Sequence, residues 1–276
     1  MNFKERLSIG ISIVALSLSI ATTAYNELNK QTERTRSIRS QLTNILSRHT
    51  ELQRDLATVY RDQYVQSQAA AAATPVGVGS THDVNLQYYN NVGSIITGES
   101  TGLLRQAMTI VDQIPDQVSS TEFGVIANWN LRVGDFLAAE RYFQESIASA
   151  ESDHYRIYPL RNYAIFLFGQ QRPEEGRSEY RKALESLHAV NDQGHWENGQ
   201  TYKMWAESEV WLNGMTEAES LLENAHDAFS RISNVYIKKN ELATLQAHRA
   251  RLEDIAQRGS LEPEPPQIMQ GFSGMN

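Results

Sequence analysis

The chain has no cysteine among its 276 residues. That excludes disulfides and thiolate metal sites, and it leaves the redox compartment open, since a cysteine-free chain can live anywhere. Basic side chains are outnumbered, with 25 Lys and Arg against 33 Asp and Glu. The resulting formal net charge of −8 argues against a nucleic-acid binder, which needs a basic face for phosphates. Catalytic signatures are missing too. There is no glycine-rich phosphate loop with its Lys-Ser/Thr, no zinc-protease His pair on one helical turn, and no strand-turn-helix nucleophile elbow. His188, His195 and Glu197 stand close in sequence, but no further metal ligand that would complete a site is identified with them. No catalytic residue, metal or cofactor is assigned, and an enzyme built on a helical scaffold is the reading with least support.

Proline and glycine are both missing from Asn26 to Gln66. Within that stretch Ile38, Leu42, Ile45, Leu52, Leu56 and Val59 follow a heptad, with His49 at the skipped core position. The spacing predicts a helical stalk over 26–66. It can pair with a second copy as a parallel coiled coil, making a homo-oligomer, or pack as an amphipathic helix on the chain's own repeat domain.

Before the stalk, Leu7 to Ala24 carries no charge, after a short start holding Lys4 and Arg6. Eighteen helical residues span roughly 27 Å, close to the hydrocarbon thickness of a bilayer. Three readings of residues 1–25 fit: a single membrane-spanning anchor, a cleaved secretory signal ending near Ala24, or a buried soluble helix. The anchor leads, because a charged helical stalk continues directly from it. Lys30, Arg34, Arg36 and Arg39 follow the span. The positive-inside tendency therefore puts the body of the protein in the cytoplasm, with a periplasmic or extracellular body as the alternative.

Residues 67–83 change character. Pro75 should end the stalk helix, and Gly77, Gly79 and Ser80 read as flexible chain. A repeat domain is expected over 84–258 and a proline-bearing disordered tail over 259–276. The repeat domain opens with a degenerate hairpin over 84–114, turning at Gly98. Three clearer hairpins follow. The first has Ala127, a turn at Gly134-Asp135-Phe136, then Ala139 and Phe143. The second has Ala164, a break at Gly169 to Pro173, then Gly176 and Tyr180. The third has Ala206, a break at Asn213-Gly214, then Ala218 and Leu222. Small residues let the two helices of each hairpin approach, and the large residue one turn on fills space toward the next hairpin. A long helix from about Lys238 to Gln257 caps the stack.

At these residues the sequence resembles the tetratricopeptide-repeat family, most closely in the run Gly134-Asp135-Phe136-x-x-Ala139-x-x-x-Phe143. Ala139, Gly176 and Ala218 stand 37 and 42 residues apart, beyond the family's usual period of about 34. The extra residues fall at 153–158 and 190–199, which are expected to be loops between hairpins. The resemblance implies an all-α fold, a solenoid of about four hairpins plus a capping helix; the transmembrane helix and coiled-coil-like stalk read from residues 1–66 precede it. It also implies a non-catalytic adaptor whose first helices line a concave groove for a protein or peptide partner. On that face lie Asn128, Arg132, Arg161, Asn162 and Lys203. An arginine fork suits a carboxylate, and an amide suits peptide groups. These residues are read as the candidate groove, or else as solvated polar positions on helices. The rivals are a secreted or periplasmic soluble version and a structural subunit of a larger membrane-associated assembly.

Overall fold

The computed structural model describes the backbone of residues 3–73, 81–187, 191–212 and 215–258, and the side chains of 25–67, 87–187, 191–212 and 215–257. Among the described residues every regular element is helical: α1 Phe3–Ala73, α2 Thr81–Val111, α3 Ser120–Arg132, α4 Phe136–Ala148, α5 Asp153–Gly169, α6 Pro173–Glu185, α7 Asp192–Val210, α8 Met215–Ser230 and α9 Val235–Arg258, with one 3-10 turn at Pro115–Gln117. The all-α expectation holds. The chain divides into two compact units, residues 1–117 and 118–276. The linker core at 74–80, the Asn213-Gly214 turn, His188 and the tail from 259 lie outside the described residues.

The first unit is a helical pair. α1 runs without a break and stops at Ala73, two residues short of Pro75, whose ring disfavours helical backbone just before it. α2 returns antiparallel to it. Arg48 Nε donates to Glu99 Oε1 at 2.9 Å, and His49 Nδ1 lies 3.1 Å from Ser100 Oγ. Leu42, His49 and Leu52 of the heptad are buried. The seam expected to receive a second copy or the repeat domain is covered by α2 of the same chain. α2 also corrects the expected hairpin over 84–114, since it passes through Gly98 as one helix. Glycine costs a helix interior about 1 kcal/mol but still makes its backbone hydrogen bonds. The hairpins of the repeat region therefore number three, with α9 after them. Among the described residues no helix is long and apolar enough to cross a membrane. The side chains of Leu7–Ala24 lie outside those residues.

The second unit stacks the hairpins α3/α4, α5/α6 and α7/α8, and α9 packs on the last. α3 also touches α5, α5 touches α7 and α7 touches α9, so the first helices form a continuous row. Each hairpin closes on its small residues. Ala127, Ala139, Ala164, Ala206 and Ala218 are fully buried. A Cβ added to Gly176 would stand 3.0 Å from the carbonyl oxygen of Ala164. The turns repeat as well. Gly134 has φ +80° and Gln171, 37 positions later, has φ +60°. Both take the left-handed backbone that lets a chain leave one helix and enter the next.

The interface between hairpins is also written more than once. Phe143 of α4 lies 5.4 Å from Phe166 and 6.2 Å from Tyr163 of α5, centroid to centroid. Its equivalent in α6, Tyr180, stacks on Trp205 of α7 at 5.6 Å. In α8 that position holds Leu222, which is buried in one cluster with Leu245 and Leu252 of α9. Start signals are explicit. Ser119 and Glu122 form a reciprocal capping box at α3, and Asp135 accepts from Ala138 N at 3.1 Å to cap α4.

Candidate functional site

Residues 153–158 and 192–199 are not loops. α5 starts at Asp153 and α7 at Asp192, so the insertions lengthen the first helices at their N-terminal ends. α3 has 13 residues, α5 has 17 and α7 has 19. The reason is local: Ser152 and Asn191 occupy extended N-cap positions, and Asn191 accepts from Gly194 N. The overhanging turns wall a cleft of about 590 Å³ among the N-terminal ends of α3, α5 and α7. Ser120, Ser146, Glu151, Tyr155, Tyr158 and Trp196 line it, with Arg161 at its base.

The five groove residues have unequal surroundings. Arg161 is buried, at 4% exposure. Its Nε donates to Thr201 Oγ1 at 2.8 Å, and its Nη2 pairs with Glu197 Oε2 at 2.7 Å and with the Glu197 main-chain carbonyl. Burial pushes this guanidinium below its ordinary pKa, while Glu197 pulls the other way. Arg161 thus ties α5 to α7. Lys203 is half-buried on α7, and burial lowers its pKa against the pull of Glu241 and Glu207. Asn162 is half-buried beside Arg161. Asn128 is half-buried and spends one amide hydrogen on the Gly124 carbonyl at 2.9 Å. Arg132 is exposed in the last turn of α3. Arg161 and Lys203 come close enough to repel each other electrostatically.

Several partners in this region escaped the sequence reading. Glu241 of α9 accepts from Trp196 Nε1 at 3.0 Å and from Gln200 Nε2 at 2.9 Å. Glu207 accepts from Arg251 Nη2 at 2.7 Å, and His248 Nε2 stands 4.0 Å from its other oxygen. Burial lowers the pKa of His248, with Glu207 opposing. On the outer side, Arg177 of α6 grips the buried Glu209 of α7 with two bonds at 2.7 and 2.6 Å, and Trp205 Nε1 donates to the same carboxylate. Apart from Trp205–Glu209, one turn apart on α7, these pairs join residues 32 to 45 positions apart, so one-turn spacing could not reveal them. Their only sequence signal is a charged residue placed where a core face would otherwise continue. Among the described residues no cluster of His, Asp and Glu is arranged to hold a metal.

No family model, no curated protein and no solved structure matches this chain.

Proposed function

We propose that this protein is a membrane-anchored, tetratricopeptide-like scaffold that holds a polypeptide partner along its row of first helices and does no chemistry of its own. The observation that carries the reading is the lengthening of α5 and α7, which adds a walled cleft to that row. A scaffold whose only task was to close its own core would not need these extra turns, which leave Tyr155 and Tyr158 largely exposed. In this reading Asn128, Arg132, Asn162 and Lys203 offer polar groups along the row, and Arg161 fixes the cleft floor through Glu197 and Thr201. The uncharged run Leu7–Ala24 supplies the anchor, with the repeats on the cytoplasmic side. α2 covers the heptad seam of α1, so that seam lends no support to pairing of copies.

Two measurements on the full chain test the reading. Alkaline carbonate extraction with N-terminal mass spectrometry should find intact Met1 in the membrane fraction; a new start near Tyr25 in the soluble fraction would remove the anchor. A photo-crosslinking residue at Asn162 or Lys203 should join a polypeptide partner in native membranes. A crosslinker at Glu223, on the opposite helix of the last hairpin, should not. Equal capture from all three positions would refute the first-helix row as the binding surface.

A further inference from the structure

We propose that the cleft among the N-terminal ends of α3, α5 and α7 receives an arginine or lysine side chain of the partner; this rests on the polypeptide-scaffold reading above. Hydrogen-bond capacity in the cleft points to such a ligand. Each serine hydroxyl in the cleft wall has already spent its one proton. Ser119 Oγ donates to Glu122 Oε2 at 2.8 Å, Ser120 Oγ to the Ser146 carbonyl at 2.7 Å, Ser146 Oγ to the Ser120 carbonyl at 2.6 Å, and Ser149 Oγ to the Glu145 carbonyl at 2.8 Å. A hydroxyl has one donor and two lone pairs, so what remains for a ligand at these four serines is acceptor capacity.

The backbone adds to the same side. Pro159 sits inside α5 and has no N–H, so this part of the cleft wall has one main-chain donor fewer. Glu151 contributes an exposed carboxylate at the mouth. The cleft's own cation, Arg161, is buried and paired with Glu197, so it does not repel a second cation as a bare charge would. Tyr155 and Tyr158 are 63% and 62% exposed, and aromatic faces attract guanidinium and ammonium groups. Acceptors, a carboxylate and exposed rings around one hollow describe a site for a cation with several N–H donors. The net charge of −8 favours the approach of such a segment.

The opposite case has one feature in its favour. The N-cap Ser152 makes no side-chain cap bond, so the first main-chain donors of α5 remain open to an acidic ligand. Selection of a random displayed-peptide library on the full-length protein in detergent micelles separates the two. Enriched peptides should carry arginine or lysine. Capture of an enriched peptide should fall at least tenfold in a Glu151→Gln, Tyr155→Ala, Tyr158→Ala variant. It should hold in Glu223→Gln, Asp227→Asn, which removes two charges from the hollow between α8 and α9 where the cleft variant removes one. Should the triple variant melt early, Glu151→Gln alone gives the same comparison with a smaller loss. Enrichment of acidic or uncharged peptides would overturn the inference and leave the polypeptide scaffold standing. Equal loss in the remote variant would overturn it as bulk charge attraction. No enrichment over empty micelles would overturn both.

Discussion

The two units solve the same problem, burying apolar faces with helices alone, in different ways. The α1/α2 pair has a single seam. Its buried residues include Leu42, Leu52 and the polar pair His49–Ser100, while Tyr60, Tyr64, Tyr88 and Ile95 stay largely exposed. The Arg48–Glu99 ion pair between its helices is open to water on both sides. In the stack every hairpin meets a neighbour. The rings of Phe143, Phe166 and Tyr180 disappear into those interfaces, and Tyr142 and Phe229 are buried against the other helix of their own hairpin. Buried or half-buried ion pairs then join one hairpin to the next: Arg172–Glu140, Arg161–Glu197 and Arg177–Glu209. The lesson is that repetition supplies depth. A lone pair can offer only a stripe, whereas a stack offers faces deep enough for charges that fix register.

The sharpest test of that contrast removes one bridge from each unit. Arg161→Ala leaves the mostly buried Glu197 carboxylate without its charged partner and should destabilise the stack by about 3 kcal/mol. Replacing both members, Arg161→Met with Glu197→Leu, should recover most of the loss. Arg48→Ala in the first unit should leave chemical denaturation unchanged, because solvent already screens its pair. Comparable losses in the two units would mean that depth of burial is not what separates them.

Glycine gives the next largest effect, with opposite signs in the two units. A Cβ on Gly199 would stand 2.2 Å from Phe229 Cε1, in a ring that is wholly buried. Gly199→Val should therefore cost about 1–3 kcal/mol through overpacking. No atom lies within 4 Å of a Cβ on Gly98, so Gly98→Ala should stabilise α2 by about 0.5–1 kcal/mol. Urea titrations of the two variants check both, and a loss from Gly98→Ala would show that α2 is packed on that side.

Much of the stack was legible. Alanine and glycine at matched places marked the closest helix contacts, and Phe143, Tyr180 and Leu222 marked the faces between hairpins. Both signals are local in sequence and set by sterics. The site was less legible. The period of 37 and 42 residues was visible, but an insertion before a helix reads equally as loop or as added turns; at α7 the Asn191 cap on Gly194 N decides for turns. The heptad in α1 was visible too, while its partner was not, because a heptad states that a seam must be covered and not by what. Gly98 misled because helix propensity is weaker than the packing that carries α2 through it. Arg161 and Lys203 are legible in the sequence as charges on one helix face; the partners of Arg161, Glu197 and Thr201, come from α7, and Glu241 beside Lys203 comes from α9.

A smaller test uses the two equivalent turns. Gly134 meets the left-handed backbone without a Cβ, and Gln171 meets it with one. Gly134→Gln should cost about 1 kcal/mol, in line with the usual penalty for a side chain at positive φ. Gln171→Gly should gain less than that, because glycine also gives the unfolded chain more freedom. If both changes destabilise equally, the turns are not equivalent, and the repeat relation between the first two hairpins fails at that point.

The smallest expected effect concerns acidity, and it separates the stack from the pair by the surroundings of one histidine. His248 of α9 has its pKa lowered by burial. Glu207 opposes this, while Lys203 and Arg251 add to it. Above the ordinary histidine value of about 6.5 the ring is neutral in both the folded and unfolded chain. As pH falls through that value, the unfolded chain takes up a proton that the folded one holds less readily, so stability is lost until pH also passes the folded pKa. The melting temperature of the stack should therefore drop more between pH 7.5 and 5.5 in the parent than in His248→Gln, where carboxylate titration is shared and only this term is removed. Parallel pH profiles would mean that the ring can protonate in place at no cost. The contact of α9 with Lys203 and Glu207 would then be looser than the buried geometry between α7 and α9 requires.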